Sequence, residues 1–330
     1  MKTRALAPWF GSNRTLAHHV GAHLDGCEWV GVPFAGGMSE LAHIAARTVV
    51  VNDLHRGVIN LARVVADPML APRLIRGLRR VPFHPDSLAD AQERFNICGA
   101  LGAPDLPDFT AARDYFLCAW MTRNGTAGTD AETTAALSVR WDAGGGDSVV
   151  RFRSAVESLR EWRGILARCS FSTLDVFAFL DKVKDRPTHG IYLDPPFPGP
   201  GDAYRHKLTE AHQHQLAARL GSLAHCRVVA RFYDHPLIRH LYPEPFWVWH
   251  HLAGGRTQAN NAAPEVLLIR NHPDQPCSTC NGSGMPGGVS GFGACPGCDP
   301  AAAAQLAADL AAVPSLPPGP PSTPDRYANL

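Results

Sequence analysis

Long apolar runs are missing from this sequence. No stretch of about 18 uncharged apolar residues occurs, which argues against a membrane-spanning helix. The opening residues, "MKTRALAPWFGS", lack the apolar segment and cleavage site of a secretory signal, so a cytoplasmic protein with no membrane partner is expected. Charge of one sign is missing too: a net charge of +1 leaves no global footprint for nucleic acid, so any such binding must be local. Neither a Gly-x-Gly-x-x-Gly turn nor a phosphate-loop lysine occurs, which disfavours dinucleotides and nucleoside triphosphates. No internal repeat is visible. Of nine cysteines, Cys27, Cys98, Cys118, Cys169 and Cys226 are scattered singly and read as small buried hydrophobes rather than a disulfide framework.

What is present suffices for one substantial α/β domain with smaller attachments, since 45% of 330 residues are apolar. The run "WVGVPF" followed by "AGGMSELAHIAA" predicts strand, glycine turn and helix, and "TVVVND" predicts a second strand closing on an acidic residue. Later strands are expected at "GIYL", "CRVVARF", "FWVWHHL" and "EVLLIR". A helix is expected over "KLTEAHQHQLAARLGSLA", with Leu208, His212, Gln215, Leu216, Arg219 and Leu220 on one face. This alternation is that of a doubly wound, Rossmann-like α/β sheet. Residues 60–165 differ, with helical patterns and "DSVVRF" as the one strand-like stretch, and read as an inserted, mostly helical subdomain between the sheet-forming segments 1–59 and 166–271. A module at 272–299 and a short helix with a proline-rich tail at 300–330 complete the chain.

Three constellations carry chemistry. Gly36 and Gly37 between the first strand and its helix allow close backbone approach to a ligand, and Asp53 at the end of the second strand suits ribose hydroxyls; the same residues also occur for packing alone. "DPPF" at 194–197 ends a buried strand with a carboxylate and fixes the next turn with two prolines, whose rings set φ. That turn offers a carboxylate, an aimed Pro195 carbonyl and an aromatic face, a match for an exocyclic amino group on a base; a proline-stiffened loop with a packed Phe197 is the plainer reading. "CSTCNGSGMPGGVSGFGACPGC" sets Cys277 and Cys280, then Cys295 and Cys298, at the spacing of a four-thiolate structural Zn2+ site. Arg73, Arg76 and Arg80 share a helical face, as a solvated surface or a phosphate contact.

In this order, "PWFGSNRTLA", "VPFAGGMSE", "VVVND", "YLDPPF" and "PEVLLIRN" resemble the Dam-like, alpha-group DNA adenine-N6 methyltransferases, over roughly residues 8 to 271. "RFNICGA" is similar to a piece of that family's target-recognition insert, and Tyr204 and His212 fall at its spacings. The resemblance implies a site-specific methyltransferase that uses S-adenosyl-L-methionine and double-stranded DNA. Trp9, Phe10 and Gly11 would flank the cofactor's methionine end, Phe34, Ala35, Gly36 and Gly37 would wrap it, and Asp53 would hold its ribose. Ser170 and Phe171 stand where an Asp-Phe pair normally meets the adenine of the cofactor. Asp194, Pro195, Pro196 and Phe197 would form the catalytic turn, with Phe197 stacked on a flipped-out adenine. The 60–165 insert would choose the DNA site, with Arg73, Arg76, Arg80, Arg113, Arg123, Asn124 and Arg140 available for contacts. The chain departs from the family pattern at Val32 (usually acidic), Met38 (usually glycine) and Asn13 (usually lysine). The cysteine segment resembles the zinc-binding repeat of DnaJ chaperones. Methylation of RNA or of cytosine N4, and a catalytically silent DNA- or protein-binding relative, are the alternatives. Neither a target site nor a partner restriction enzyme is specified.

Overall fold

A computed structural model describes residues 5–11, 16–100 (backbone alone at 98–100), 106–123, 126–141, 147–199, 201, 204–244, 246–251 and 265–270. The chain divides into two units, Met1–Gln275 and Pro276–Leu330. The second unit, with the four cysteines and the expected helix and tail, lies outside the described residues, as does Asn124. The first unit is an α/β structure around a mixed seven-stranded sheet. Its strands are β1 (Trp29–Val32), β2 (Thr48–Asn52), β3 (Cys169–Ser172), β4 (His189–Leu193), β5 (Arg227–Tyr233), β6 (Trp247–His251) and β7 (Glu265–Arg270), in the order β3-β2-β1-β4-β5-β7-β6. β1 to β5 run parallel; β7 pairs antiparallel with β5 and with β6. All four strands expected from "GIYL" onward form.

The strands are apolar because both faces are covered. Val30, Val32, Val49 and Val51 are fully buried, each contributing roughly 1.5–3 kcal/mol. Val32 thus occupies a dry position where a carboxylate would need a partner. One hydrophobic core joins the sheet to helices α1 (Ala17–His23), α2 (Arg56–Ala66), α3 (Leu70–Arg80), α4 (Pro85–Ala100), α5 (Phe109–Met121) and α6 (Ser148–Leu166), with α5 packed on α2, α4 on α5 and α3 on α6. The inserted helices therefore share the sheet's core instead of building their own. A second core joins the sheet to α7 (Val176–Leu180), α8 (Glu210–Gly221) and α9 (Pro236–Leu241).

Three local expectations change. "DSVVRF" opens the 19-residue α6 and not a strand, because Asp147 accepts hydrogen bonds from the Val149 and Val150 amides and caps a helix that buries Phe152, Val156, Leu159 and Trp162. The helix expected after the glycine turn is one short 3₁₀ turn, Ser39–Ala42. On α8 the buried residues are Gln213, Leu216, Ala217 and Leu220, while His212, Gln215 and Arg219 are not buried; Thr209 and His212 form a capping box that sets this rotation. Among the described residues no helix is long and apolar enough to cross a membrane.

Candidate active site

In a doubly wound sheet the loops beyond the carboxyl ends of the strands diverge where the strand order reverses, and a crevice opens there. In this sheet the reversal lies between β1 and β4. A cavity of about 370 Å³ occupies that place, walled by residues that follow β1 (Pro33–Glu40), β2 (Asp53–His55), β3 (Leu174–Val176) and β4 (Asp194, Pro196), with Trp9, Gly128 and the Tyr204–Leu208 segment closing it.

Asn52 holds the strand ends together. Its amide nitrogen donates to the Pro33 and Leu174 carbonyls (3.1 and 2.9 Å), and its side-chain oxygen accepts from the Leu174 amide and the Ser172 hydroxyl (2.7 and 2.8 Å). Asp53 then accepts from the Gly36 and His55 amides, one to each oxygen, both at 2.8 Å. Burial pushes its carboxyl above the ordinary range, against these amides. Gly36 is required by Trp9: a Cβ there would lie 2.9 Å from the indole, and one on Gly128 2.5 Å from the indole's other edge. The turn passes through Met38 at φ 60°, a left-handed conformation that costs a side chain about 1–2 kcal/mol. Met38 is completely buried, and burial of its side chain offsets that strain.

The opposite wall is Asp194 and Pro196. Asp194 is ion-paired with Arg231 of β5, whose Nη1 donates to both carboxylate oxygens (3.2 and 2.9 Å) and to the Gly11 carbonyl, while its Nη2 donates to Glu265 of β7 (2.9 Å). Arg231 is 3% exposed, so it must be charged among carboxylates or not be there at all. Burial opposes its charge, but Asp194 and Glu265 outweigh that and hold it firmly protonated. Burial raises the Asp194 carboxyl, with Arg231 and a hydrogen bond from Tyr192 pulling the other way. The Pro196 carbonyl accepts from Gln213 (2.8 Å) and the Phe197 carbonyl from the Gly201 amide (2.8 Å), which pins the turn to α8 and to the following loop.

Most of the residues expected at the site meet in the cavity: Trp9, Phe34, Ala35, Gly36, Gly37, Asp53, Asp194 and Pro196 line it. Phe10 and Gly11 sit behind it, the Phe10 carbonyl accepting from the Tyr204 hydroxyl (2.7 Å) and the Gly11 carbonyl from Arg231. Four more of the expected residues lie outside the cavity lining. Ser170 and Phe171 lie within β3, paired with Val50 and Val51, and do not reach the cavity; the chain needs three more residues to arrive there, at Leu174, Asp175 and Val176. Pro195 is buried and does not line the cavity. Nor does Phe197, whose half-buried ring packs edge-on against Tyr233 at 4.7 Å and under the Arg231 guanidinium at 5.3 Å.

Several site residues had no motif. His55 contacts Glu132 at 2.9 Å, both buried, tying the β2 end to the insert. Burial works against the His55 charge, yet Glu132 outweighs it and raises the ring; burial works against Glu132 too, and His55 lowers it. Arg205 and Lys207, both exposed, stand at the mouth. Arg73, Arg76, Arg80 and Arg123 are exposed, Arg73 lying over the Phe109 ring at 4.6 Å. Among the described residues no His, Cys, Asp and Glu cluster could hold a metal. Neither a protein-family model nor a curated protein matches this chain.

Proposed function

We propose that this chain transfers a methyl group from S-adenosylmethionine to the N6 amino group of an adenine turned out of double-stranded DNA. The observation that carries the reading is that Trp9, the Phe34–Gly37 turn, Asp53 and Asp194, drawn from four separate stretches, line one cavity at the carboxyl ends of β1, β2 and β4. Its volume lies in the range of small-molecule sites, about 300–1,000 Å³. The residues present fit a nucleoside. After accepting one amide per oxygen, Asp53 keeps lone pairs for ribose hydroxyls, and the Trp9 indole offers an apolar wall.

S-adenosylmethionine, when bound, supplies an electrophilic methyl group on a sulfonium. The protein's own part is positioning. The lone pair of an adenine amine is delocalised into its ring. Asp194, a carboxylate with acceptor sites left over from Arg231, takes one N–H of that amine, favours the pyramidal nitrogen and directs its lone pair. Arg231 and Tyr192 fix the carboxylate plane. Arg205 and Lys207 at the mouth suit the phosphates of a polyanionic substrate. A second reading, a relative that binds the nucleoside without transferring, draws on the Asp194–Arg231 pair and on Phe197 being packed away from the cavity. Separately, four thiolates from Cys277, Cys280, Cys295 and Cys298 suit one closed structural zinc, which metal analysis of the purified chain tests.

The experiment is incubation with labelled methyl donor and duplex DNA, followed by mass spectrometry of the nucleosides. N6-methyladenine that vanishes in Asp194→Ala is the expected result. Label in cytosine or RNA, or no label at all, overturns it.

A further inference from the structure

Glu40 is a carboxylic acid that the fold has left short of partners. It sits in the 3₁₀ turn after β1, is 5% exposed and lines the cavity, yet its Oε1 has no hydrogen-bond partner among the described residues. Its own backbone N–H donates to the carboxyl. The charged groups facing it are Asp194 at the end of β4 and Arg231 on β5, and that guanidinium is already committed to Asp194, Glu265 and the Gly11 carbonyl. A buried acceptor without a donor costs on the order of 1–3 kcal/mol. Of the acids that line the cavity, Glu40 and Asp194 thus face one another across a single guanidinium that is already committed.

We propose that Glu40 is a ligand-binding residue whose carboxylate receives the α-ammonium group of the bound methyl donor. The assignment rests on the methyl-donor reading above and goes beyond it by naming the group that reads the amino-acid end. Burial, with Asp194 adding to it, pushes Glu40 up to about 8, so at neutral pH the empty cavity holds the neutral acid. Arrival of a fixed ammonium favours the carboxylate. The O–H bond breaks, the proton passes to buffer, and a charge-assisted N–H to oxygen bond forms while the ammonium keeps its own protons. The binding of a cationic ligand should therefore expel about one proton.

The test uses calorimetry at pH 7 in two buffers of different ionisation enthalpy, with S-adenosylhomocysteine and with methylthioadenosine, which keeps the nucleoside and sulfur but has no amino-acid end. Wild-type protein should release about one proton with the first and none with the second. Glu40→Gln should abolish the release and weaken S-adenosylhomocysteine by about tenfold to a hundredfold, the worth of a hydrogen bond to a charged group, with methylthioadenosine unchanged. Glu40→Met, which removes an unpaired buried acid and so should fold at least as well, must show the same split. His55 and His206 also line the cavity, and release that persists in both variants would belong to them and overturn the assignment. Equal losses for the two nucleosides would overturn it as well, leaving the methyl-donor reading in place. If neither nucleoside binds the wild-type chain, that reading falls and Glu40's role with it.

Discussion

The two walls of the cavity are rigid for opposite reasons. The wall after β1 is made of backbone: it bends through Gly36 at φ 42° and Met38 at φ 60°, and one carboxylate 17 positions away, Asp53, accepts from its Gly36 amide. The wall after β4 is made of side chains: Pro195 and Pro196 restrict the turn, and a guanidinium 37 positions on, Arg231, holds its carboxylate. A backbone-built wall tolerates change in side chains as long as its geometry survives, which is why a buried methionine can stand where the resembling family has glycine. A charge-built wall does not tolerate change, because each member leaves another charge stranded.

The largest effect should come from breaking the charged wall. Arg231→Met leaves Asp194 and Glu265 partly buried without their cation, and loss of one member of such a set costs about 3–5 kcal/mol. Urea unfolding should show that loss, and the proposed methyl transfer should vanish with it. Restoring much of the stability with Glu265→Gln in the same chain would show that stranded charge, and not lost packing, was the cause. The backbone wall should break more gently. Asp53→Ala frees the Gly36 and His55 amides in a part-buried place, for about 2 kcal/mol in total, and water entering the open cavity can take up some of the loss. A cost for Asp53→Ala as large as that of Arg231→Met would remove the distinction between the walls.

The sequence showed the pieces of this site that are local. β4 to β7 were legible as short apolar runs bounded by turn residues, and Asp53 and Asp194 as acids closing such runs. The partners were not legible, because nothing in a one-dimensional pattern pairs Arg231 with Asp194 or His55 with Glu132. One signal did exist: "CRVVARF" places an arginine inside an otherwise apolar strand, and a charge that is buried demands carboxylates nearby. Ser170 and Phe171 fall short of the cavity because alignment to a motif carries no information on how far β3 runs before its loop reaches that place. "DSVVRF" misled because β-branched residues favour strands only where a sheet receives them, and here the Asp147 cap and the buried stripe of α6 decide otherwise.

Protonation offers a finer comparison, since the two walls contribute acids of different standing. Glu40 has its proton affinity raised in the folded state, to about 8 against an ordinary value of 4.5. Between those values the native chain binds a proton that the unfolded chain has released, so Glu40 subtracts stability as pH rises through this window, by at most about 1.4 kcal/mol per pH unit. The His55–Glu132 pair follows its own signs: the raised His55 contributes fully below its unfolded value and is lost as pH rises through the folded one, while the lowered Glu132 contributes above its unfolded value and is lost as pH falls through the folded one. Thermal unfolding from pH 5 to 8 should therefore flatten in Glu40→Gln. An unchanged slope would place the missing donor of Glu40 within the protein.

The smallest stability effect belongs outside both walls and is the most informative about the substrate. Arg76 and Arg80 are exposed on α3, so replacing both with alanine should move stability by no more than about 0.5 kcal/mol. If this face meets duplex DNA, each lost phosphate contact lowers the slope of log affinity against log salt by about 0.9, uniformly across sequences. Binding titrations over a salt series read that slope directly. A double variant with an unaltered slope returns α3 to the role of a solvated helix face. Recognition of the polyanion would then rest on Arg205 and Lys207 at the cavity mouth, where the same titration on Lys207→Ala should show the missing contact.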